Sequence, residues 1–294
     1  MDRLFAMRVY IAVVEAGSFV RAAEQLLVST TSASRLVSEL ERHLGARLLS
    51  RTTRRLALTE TGVAYYERCR QILSDVEEAE ALAAEADAGP RGLLRVSLPQ
   101  SFGLRYLAPS LPDFCTRYPS LELDVNFSDK VVEFVEEGVD VAIRISLELK
   151  ETLVARRLLG IPLVACAAGS YLEKFGKPES PGELRSHNCL QYRYASIWKF
   201  LDEAPVSGNF RTNNGDMIRL AALAGQGIAV LPIFLVYEDL KLGRLKRLLE
   251  DYPLPELGAY AVYLECARRS ARIRAFVDYF SELLSGKSPW ERFP

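Results

Sequence analysis

Histidine and cysteine chemistry is scarce in this chain. Only His43 and His187 occur, and the five cysteines (69, 115, 166, 189, 266) are scattered without a Cys-x-x-Cys pair or metal-ligand spacing. That spacing excludes a zinc framework, so no metal and no cofactor is expected. A histidine-dependent nucleophilic site has only His187 to draw on, and no Gly-x-Ser-x-Gly supports it. Gly286-Lys287-Ser288 lacks the upstream glycine of a phosphate-binding loop. The chain therefore reads as a non-enzyme, with no catalytic residues. An odd number of cysteines without a secretion signal fits reduced thiols in the cytoplasm. Charges at Asp2, Arg3, Arg8 and Glu15 interrupt any signal-like apolar stretch at the N-terminus. The longest apolar run, Ile228 to Tyr237, contains Pro232 and falls well short of the roughly 20 residues a membrane helix needs.

Lysine is also missing from the first 129 residues, although the net charge of the whole chain is only −1. The basic charge there is all arginine, and it is segregated. Residues 1–58 hold nine arginines against five acids, a net of +4, while residues 59–90 hold two against eight, a net of −6. Arginine binds phosphates and guanine edges in bidentate fashion, so a local arginine surplus points to nucleic acid where the global charge does not. With 294 residues, the chain is long enough for two or more domains.

The spacing predicts a first helix from Leu4 to Ala16, with Phe5, Val9, Ala12, Val13 and Ala16 on one face and a stop at Gly17. Ser18 caps a short second helix whose Ala22, Ala23 and Leu26 allow close approach of a neighbour. After a two-residue turn, Ser29 caps a third helix that ends at Gly45. Ala33, Leu36, Val37, Leu40 and Leu44 form its apolar stripe; Thr30, Thr31, Ser34, Arg35, Ser38 and Arg42 form the opposite face. Short hydroxyl side chains beside an arginine suit a DNA major groove, and an ordinary solvated helix face carries the same pattern. The neighbours decide between these two readings. Leu56 and Leu58 alternate in a strand-like way, and Arg51, Thr52, Thr53, Arg54 and Arg55 form a basic tip suited to phosphates. Thr59 then caps a long acidic helix, from about Glu60 to Ala86, with Val63, Tyr66, Leu73, Val76 and Ala83 near heptad spacing. Its low apolar content favours pairing with a second copy over packing on its own domain.

The run GSFVRAAEQLLVSTTSASRLVSELERHLGARLLSRTTRRLALTETG (residues 17–62) resembles the N-terminal winged helix-turn-helix of the LysR-type transcriptional regulators. Ser18, Phe19, Ala22, Ala23, Leu26, Ser29, Ser34, Arg35, Leu40, Glu41, Leu44, Gly45, Leu48, Arg51, Leu58, Thr59 and Gly62 carry the likeness without an internal gap. Thr30 departs from the family's frequent glutamine, and Leu49 from its usual phenylalanine. The resemblance implies sequence-specific transcription regulation under a small-molecule effector. It further implies double-stranded DNA with an interrupted palindrome as partner, read by Ser18, Ser29, Thr30, Thr31, Ser34, Arg35, Ser38, Arg51, Thr53, Arg54 and Arg55.

Gly89-Pro90-Arg91-Gly92 has hinge composition, and beyond it strands and helices alternate. Three segments are expected: a DNA-binding domain (1–58), a linker and dimerisation helix (59–90), and an effector-binding domain (91–294). The third resembles the family's two Rossmann-like α/β lobes, of periplasmic solute-binding type, with a mainly parallel sheet. Strands are expected at 93–97, 121–127, 139–145, 228–232 and 259–264, two more within 153–168, and strand-like pieces near Leu190 and Phe210. Helices are expected over 104–118, 131–137, near Tyr171, 217–224 and 271–284. Ligands of doubly wound sheets sit at strand carboxyl ends. Those ends are Pro99-Gln100-Ser101-Phe102, Ser128-Asp129, Arg144 with Ser146, and the stretch 193–198, to which the Asn213-Asn214-Gly215-Asp216 loop would add. They nominate Gln100, Ser101, Phe102, Ser128, Arg144, Ser146, Tyr194, Trp198 and Asn214 as an effector site. Arg144 would neutralise an organic acid, or it would be a structural arginine paired with Asp140 or Glu133. Ser101 and Ser128 would donate to a carboxylate or merely cap helices, and Tyr194 and Trp198 would line the ligand or complete the core. Ser146 stands where similar family members have glycine. A homodimer or homotetramer built through 59–90, with no membrane partner, completes the expectation. A solute-binding protein would share the lobes but not the first ninety residues.

Overall fold

The structure, a computed structural model, describes residues 2–52, 55–83, 89–147, 153–193, 206–268, 270–286 and 290. It divides into two compact units, Met1–Leu93 and Leu94–Pro294.

In the first unit, α1 (Arg3–Ala16), α2 (Phe19–Gln25) and α3 (Thr30–Leu44) enclose a core of Ala6, Val9, Tyr10, Val13, Ala22, Ala23, Ala33, Val37 and Leu40. Each helix starts on a side-chain cap. Asp2 accepts from the Phe5 amide, Ser18 from Arg21 and Ser29 from Ser32. Gly17 and Gly45 end α1 and α3 in the left-handed region, at φ 60° and 64°. The antiparallel hairpin of β1 (Leu49–Thr52) and β2 (Arg55–Leu58) pairs Leu49 with Leu58 and Thr52 with Arg55. Two expectations change here. The hairpin has a first strand that the Leu56/Leu58 alternation did not reveal. Leu44 is 38% exposed, because the stripe runs out in the last turn of α3 while its other members stay buried or half-buried.

The long helix α4 (Glu60–Ala83) starts on Thr59, whose hydroxyl accepts from the Gly62 amide at 2.9 Å. Its first half packs on α1. Cys69 is fully buried, the Tyr10 and Tyr65 rings lie 5.9 Å apart, and Tyr66 donates to Glu15 at 2.9 Å. Val63 is exposed, so the five spaced apolar positions do not form one buried seam within the chain.

The second unit opens with β3 (Gly92–Leu98), α5 (Gln100–Phe102), a π turn (Gly103–Leu107), a 3-10 turn (Ala108–Ser110) and α6 (Leu111–Arg117). A single helix over 104–118 is therefore corrected. Pro109 and Pro112 lack amide donors and divide the segment. Next come β4 (Leu121–Phe127), α7 (Phe134–Glu137), β5 (Val141–Ser146), β6 (Leu153–Ala168), α8 (Gly169–Phe175) and a 3-10 turn (Pro181–Ser186). The chain continues through β7 (Gln191–Tyr192), β8 (Arg211–Thr212), α9 (Gly215–Leu223), β9 (Ala229–Pro232), α10 (Ile233–Lys241), β10 (Leu245–Leu248), β11 (Glu256–Leu264) and α11 (Ala271–Leu284).

The two strands expected within 153–168 are one 16-residue strand, β6, which crosses between the lobes beside β11. Gly160-Ile161-Pro162 resembles a break in sequence. Pro162 is tolerated because it faces Glu256, the first residue of β11, at the end of that ladder. The sheet is mixed rather than mainly parallel. β3 and β5 run parallel, whereas β11 is antiparallel to both β5 and β6, and β9 and β10 are antiparallel to β6. Two lobes result. The first holds β3, β4, β5 and the adjoining parts of β6 and β11, with α11 against it through Phe276 and Tyr279 on Phe114. The second holds β7–β10 with α8, α9 and α10. Helix α10 was hidden in sequence by the continuous apolar run from Ile228 to Tyr237, which also contains β9.

Candidate nucleic-acid interface and inter-lobe cleft

The exposed face of α3 begins at its N-terminus. Thr30, Thr31 and Arg35 are exposed, and Ser34 is half-buried beside them. The remaining serines already have local work. Ser29 caps the helix, accepting from the Ser32 amide at 3.1 Å and donating to the Ser32 hydroxyl at 2.8 Å. Ser38 donates back to the Ser34 carbonyl at 2.8 Å, and Ser18 caps α2. Sequence reasoning missed one residue that organises this surface. Oε1 of Glu41 accepts from both the Leu48 amide (2.8 Å) and the Leu49 amide (3.1 Å), tying α3 to the start of the wing. Gly62 admits the next close approach: a Cβ there would lie 2.0 Å from the Leu48 carbonyl oxygen, and Tyr10 donates to the Gly62 carbonyl at 2.8 Å. Within the basic tip, Arg51, Thr52 and Arg55 belong to the paired strands, and Thr53 and Arg54 lie outside the described residues.

In the second unit, the strand ends named from sequence converge only in part. Gln100 and Asn214 meet, the Asn214 Nδ2 donating to Gln100 Oε1 at 3.0 Å while Asn214 Oδ1 caps α9 through the Met217 amide. Ser101 donates to Asp216 Oδ2 at 2.6 Å, and Arg105 pairs with the other oxygen of the same carboxylate. The Gln100 amide donates to Asp129 Oδ1 at 3.0 Å. Burial raises the Asp129 carboxyl above its ordinary range, against hydrogen bonds from Gln100 and Tyr192 that lower it. Phe102 does not face open space. It is fully buried, stacked on Tyr106 at 5.3 Å and edge-on to Phe234 at 5.2 Å.

Arg144 donates to the Ser128 carbonyl and to the Ser97 hydroxyl, both at 2.8 Å. Burial lowers its pKa to about 10, opposed first by Asp129 and then by Glu137. The partners Asp140 and Glu133 suggested by sequence are thus replaced by Ser97 and the Ser128 carbonyl; Asp140 itself accepts from the Arg95 amide at 2.8 Å. The Ser128 hydroxyl accepts from the Lys130 amide at 3.2 Å, a local turn contact. Ser146 ends β5 opposite Gly258. Tyr194 and Trp198 lie outside the described residues. Asp129 and Asp216 lie in the strand end and the helix-start loop named from sequence, whereas Arg105, beyond the nominated 99–102 strand end, carried no sequence signal.

A cavity of about 420 Å³ lies elsewhere, along the crossing strands, lined by Arg157, Gly160, Pro162, Glu256 and Trp290 among others. His187 contacts Tyr171 through Nδ1 at 3.2 Å, and burial lowers its pKa. No helix among the described residues is long and apolar enough to cross a membrane.

Comparison with known proteins accounts for both units. Residues 4–63 match the pattern of the "Bacterial regulatory helix-turn-helix protein, lysR family", and residues 87–285 match the "LysR substrate binding domain". An uncharacterized HTH-type transcriptional regulator of Haemophilus influenzae is 36% identical over 90% of this chain and 94% of its own length. The HTH-type transcriptional regulator CrgA of Neisseria meningitidis is 37% identical over 95% of this chain and 96% of its own. The solved structure of CrgA, a LysR-type transcriptional regulator, superimposes with a TM-score of 0.59 at 35% identity, covering 96% of this chain and 99% of that one. A capped helix-turn-helix with a wing, followed by two lobes joined through crossing strands, therefore has one explanation: the chain belongs to the LysR family of transcriptional regulators.

Proposed function

We propose that α3 reads DNA bases through Thr30, Thr31, Ser34 and Arg35, while Arg51, Thr53, Arg54 and Arg55 of the wing hold phosphates. The observation that carries this reading is the exposed hydroxyl-and-arginine face at the N-terminal end of α3, fixed against the wing by Glu41. Residues 1–58 form the DNA-binding domain, 59–90 the linker and dimerisation helix, and 91–294 the effector-binding domain. Copies pair through α4, whose first half is anchored to α1 and whose Val63 is exposed. The homodimer or homotetramer reads an interrupted palindrome in the cytoplasm, where the chain catalyses no reaction. A small organic acid enters the cleft bounded by Gln100, Ser101, Ser128, Arg144 and Asn214. It changes the DNA-binding geometry with a coupling of about 1–3 kcal/mol.

Selection from a random duplex pool by the full chain tests the reading. An interrupted palindrome is expected to be enriched, with its preference relaxed at one position per half-site by Arg35→Ala. Enrichment of unrelated sequences, or an identical preference in the variant, overturns it.

A further inference from the structure

One carboxylate of the protein itself stands where a ligand's would. Asp216 belongs to the first turn of α9 in the second lobe, yet its contacts are with the first. Ser101, 9% exposed, donates its hydroxyl to Oδ2 at 2.6 Å, and the Arg105 guanidinium pairs with Oδ1. A hydroxyl and a guanidinium converging on the two oxygens of one carboxylate make a carboxylate receptor built from charge-assisted hydrogen bonds. The Asn214–Gln100 bond closes the cleft beside it, again side chain to side chain. The start of α9 is packed closely, since a Cβ at Gly215 would lie 2.6 Å from Leu235. Asp216 is therefore presented by a fixed helix end.

Charge decides what can enter. Asp129 already holds a half-buried carboxyl in the cleft, its pKa raised chiefly by loss of solvent and least by the charge of Asp216. A third carboxylate added to this pair would have to share Arg144 with Asp129, because Arg105 is committed to Asp216. Exchange avoids that cost: one carboxylate leaves the receptor as another arrives, and the cleft keeps its charge.

We propose that Asp216 is an internal stand-in for the effector's carboxylate, occupying the Ser101–Arg105 receptor and clasping the two lobes until a ligand carboxylate displaces it. The proposal rests on the reading that the effector enters this cleft. It adds the group that must leave, the two side chains that receive the ligand, and release of the α9 end as the step that loosens the lobes.

Titration of the full chain with sodium benzoate at constant ionic strength, with benzamide as the uncharged counterpart, tests it. Asp216→Asn is expected to bind benzoate about tenfold or more tightly than the native chain, within the roughly 5–150-fold span of coupled sites. Benzamide should gain nothing, and adding Arg105→Ala should cancel the benzoate gain. Equal or weaker benzoate binding by Asp216→Asn overturns the proposal. So does no binding, the same gain for benzamide, or a gain that survives Arg105→Ala. Hydrogen exchange separates this failure from failure of the underlying reading. Benzoate protection at 97–105 and 211–218 without an affinity gain removes the clasp and keeps the cleft; protection confined to other segments removes both.

Discussion

Glu41→Ala should uncouple the wing from α3, and the size of the effect follows from two amides. Glu41 Oε1 accepts from Leu48 and Leu49, residues 0% and 1% exposed, at 2.8 and 3.1 Å. Removing the carboxylate leaves two shielded N–H groups without that acceptor, at about 1–3 kcal/mol each, so a loss of roughly 2–6 kcal/mol is expected. Glu41→Gln keeps an oxygen in the same place but gives up the charge. Charge-assisted bonds are about twice as strong as neutral ones, which leaves a loss of about 1 kcal/mol. Urea unfolding of the two variants measures the difference, and hydrogen exchange over 46–58 locates it. DNA affinity should fall further in Glu41→Ala than in Glu41→Gln even where both remain folded, because the wing no longer has a fixed position relative to α3. Equal stability of the two variants, with unchanged exchange at Leu48 and Leu49, would refute the reasoning.

Other positions give independent tests. Gly62→Ala places a Cβ 2.0 Å from the Leu48 carbonyl oxygen, and should destabilise the helix-turn-helix by about 1–3 kcal/mol; native stability in denaturant contradicts this. Leu27, in the turn before α3, has φ 53° and is 94% exposed. Leu27→Asn should therefore stabilise by about 0.5–1 kcal/mol through relief of left-handed strain, and a lower Tm would argue against that. Because Asp129 has a raised pKa in the folded protein, the native state takes up its proton more readily than the unfolded chain. Its contribution to stability is full below the ordinary aspartate value of about 3.9 and is lost as pH rises through the raised value. The stability of the native chain relative to Asp129→Asn should rise as pH falls from 7 toward about 4, and a constant difference would contradict the burial argument.

Local features were the legible ones. Ser18, Ser29, Gly45 and Thr59 act within a few residues of themselves, so the ends of the N-terminal helices could be read directly. The apolar spacing of α3 gave Ala33, Val37 and Leu40 correctly and misplaced Leu44, because periodicity carries no information about where a stripe leaves the core. Pro109 and Pro112 were visible, yet the apolar residues around them outweighed the missing amides in the reading of 104–118. Gly160 and Pro162 misled in the opposite direction, since whether a proline interrupts a strand depends on which partner it faces. Contacts between distant segments had no sequence signal. Glu41 reaches amides seven and eight residues on, and Ser101 and Asp216 are separated by 115 positions. Gln100 and Asn214 could each be nominated as a strand or helix end, but their meeting is a product of the fold.

Base reading by the N-terminal face of α3 is tested most directly by binding of Arg35→Ala to selected and to random duplex DNA across a salt series. A loss of about 1–3 kcal/mol on the selected sequence is expected, with relaxed preference at one position and nearly unchanged random-DNA binding. Arg54→Ala should instead weaken both duplexes alike and flatten the salt dependence. Equal losses on selected and random DNA for Arg35→Ala, with specificity intact, would contradict base reading by α3.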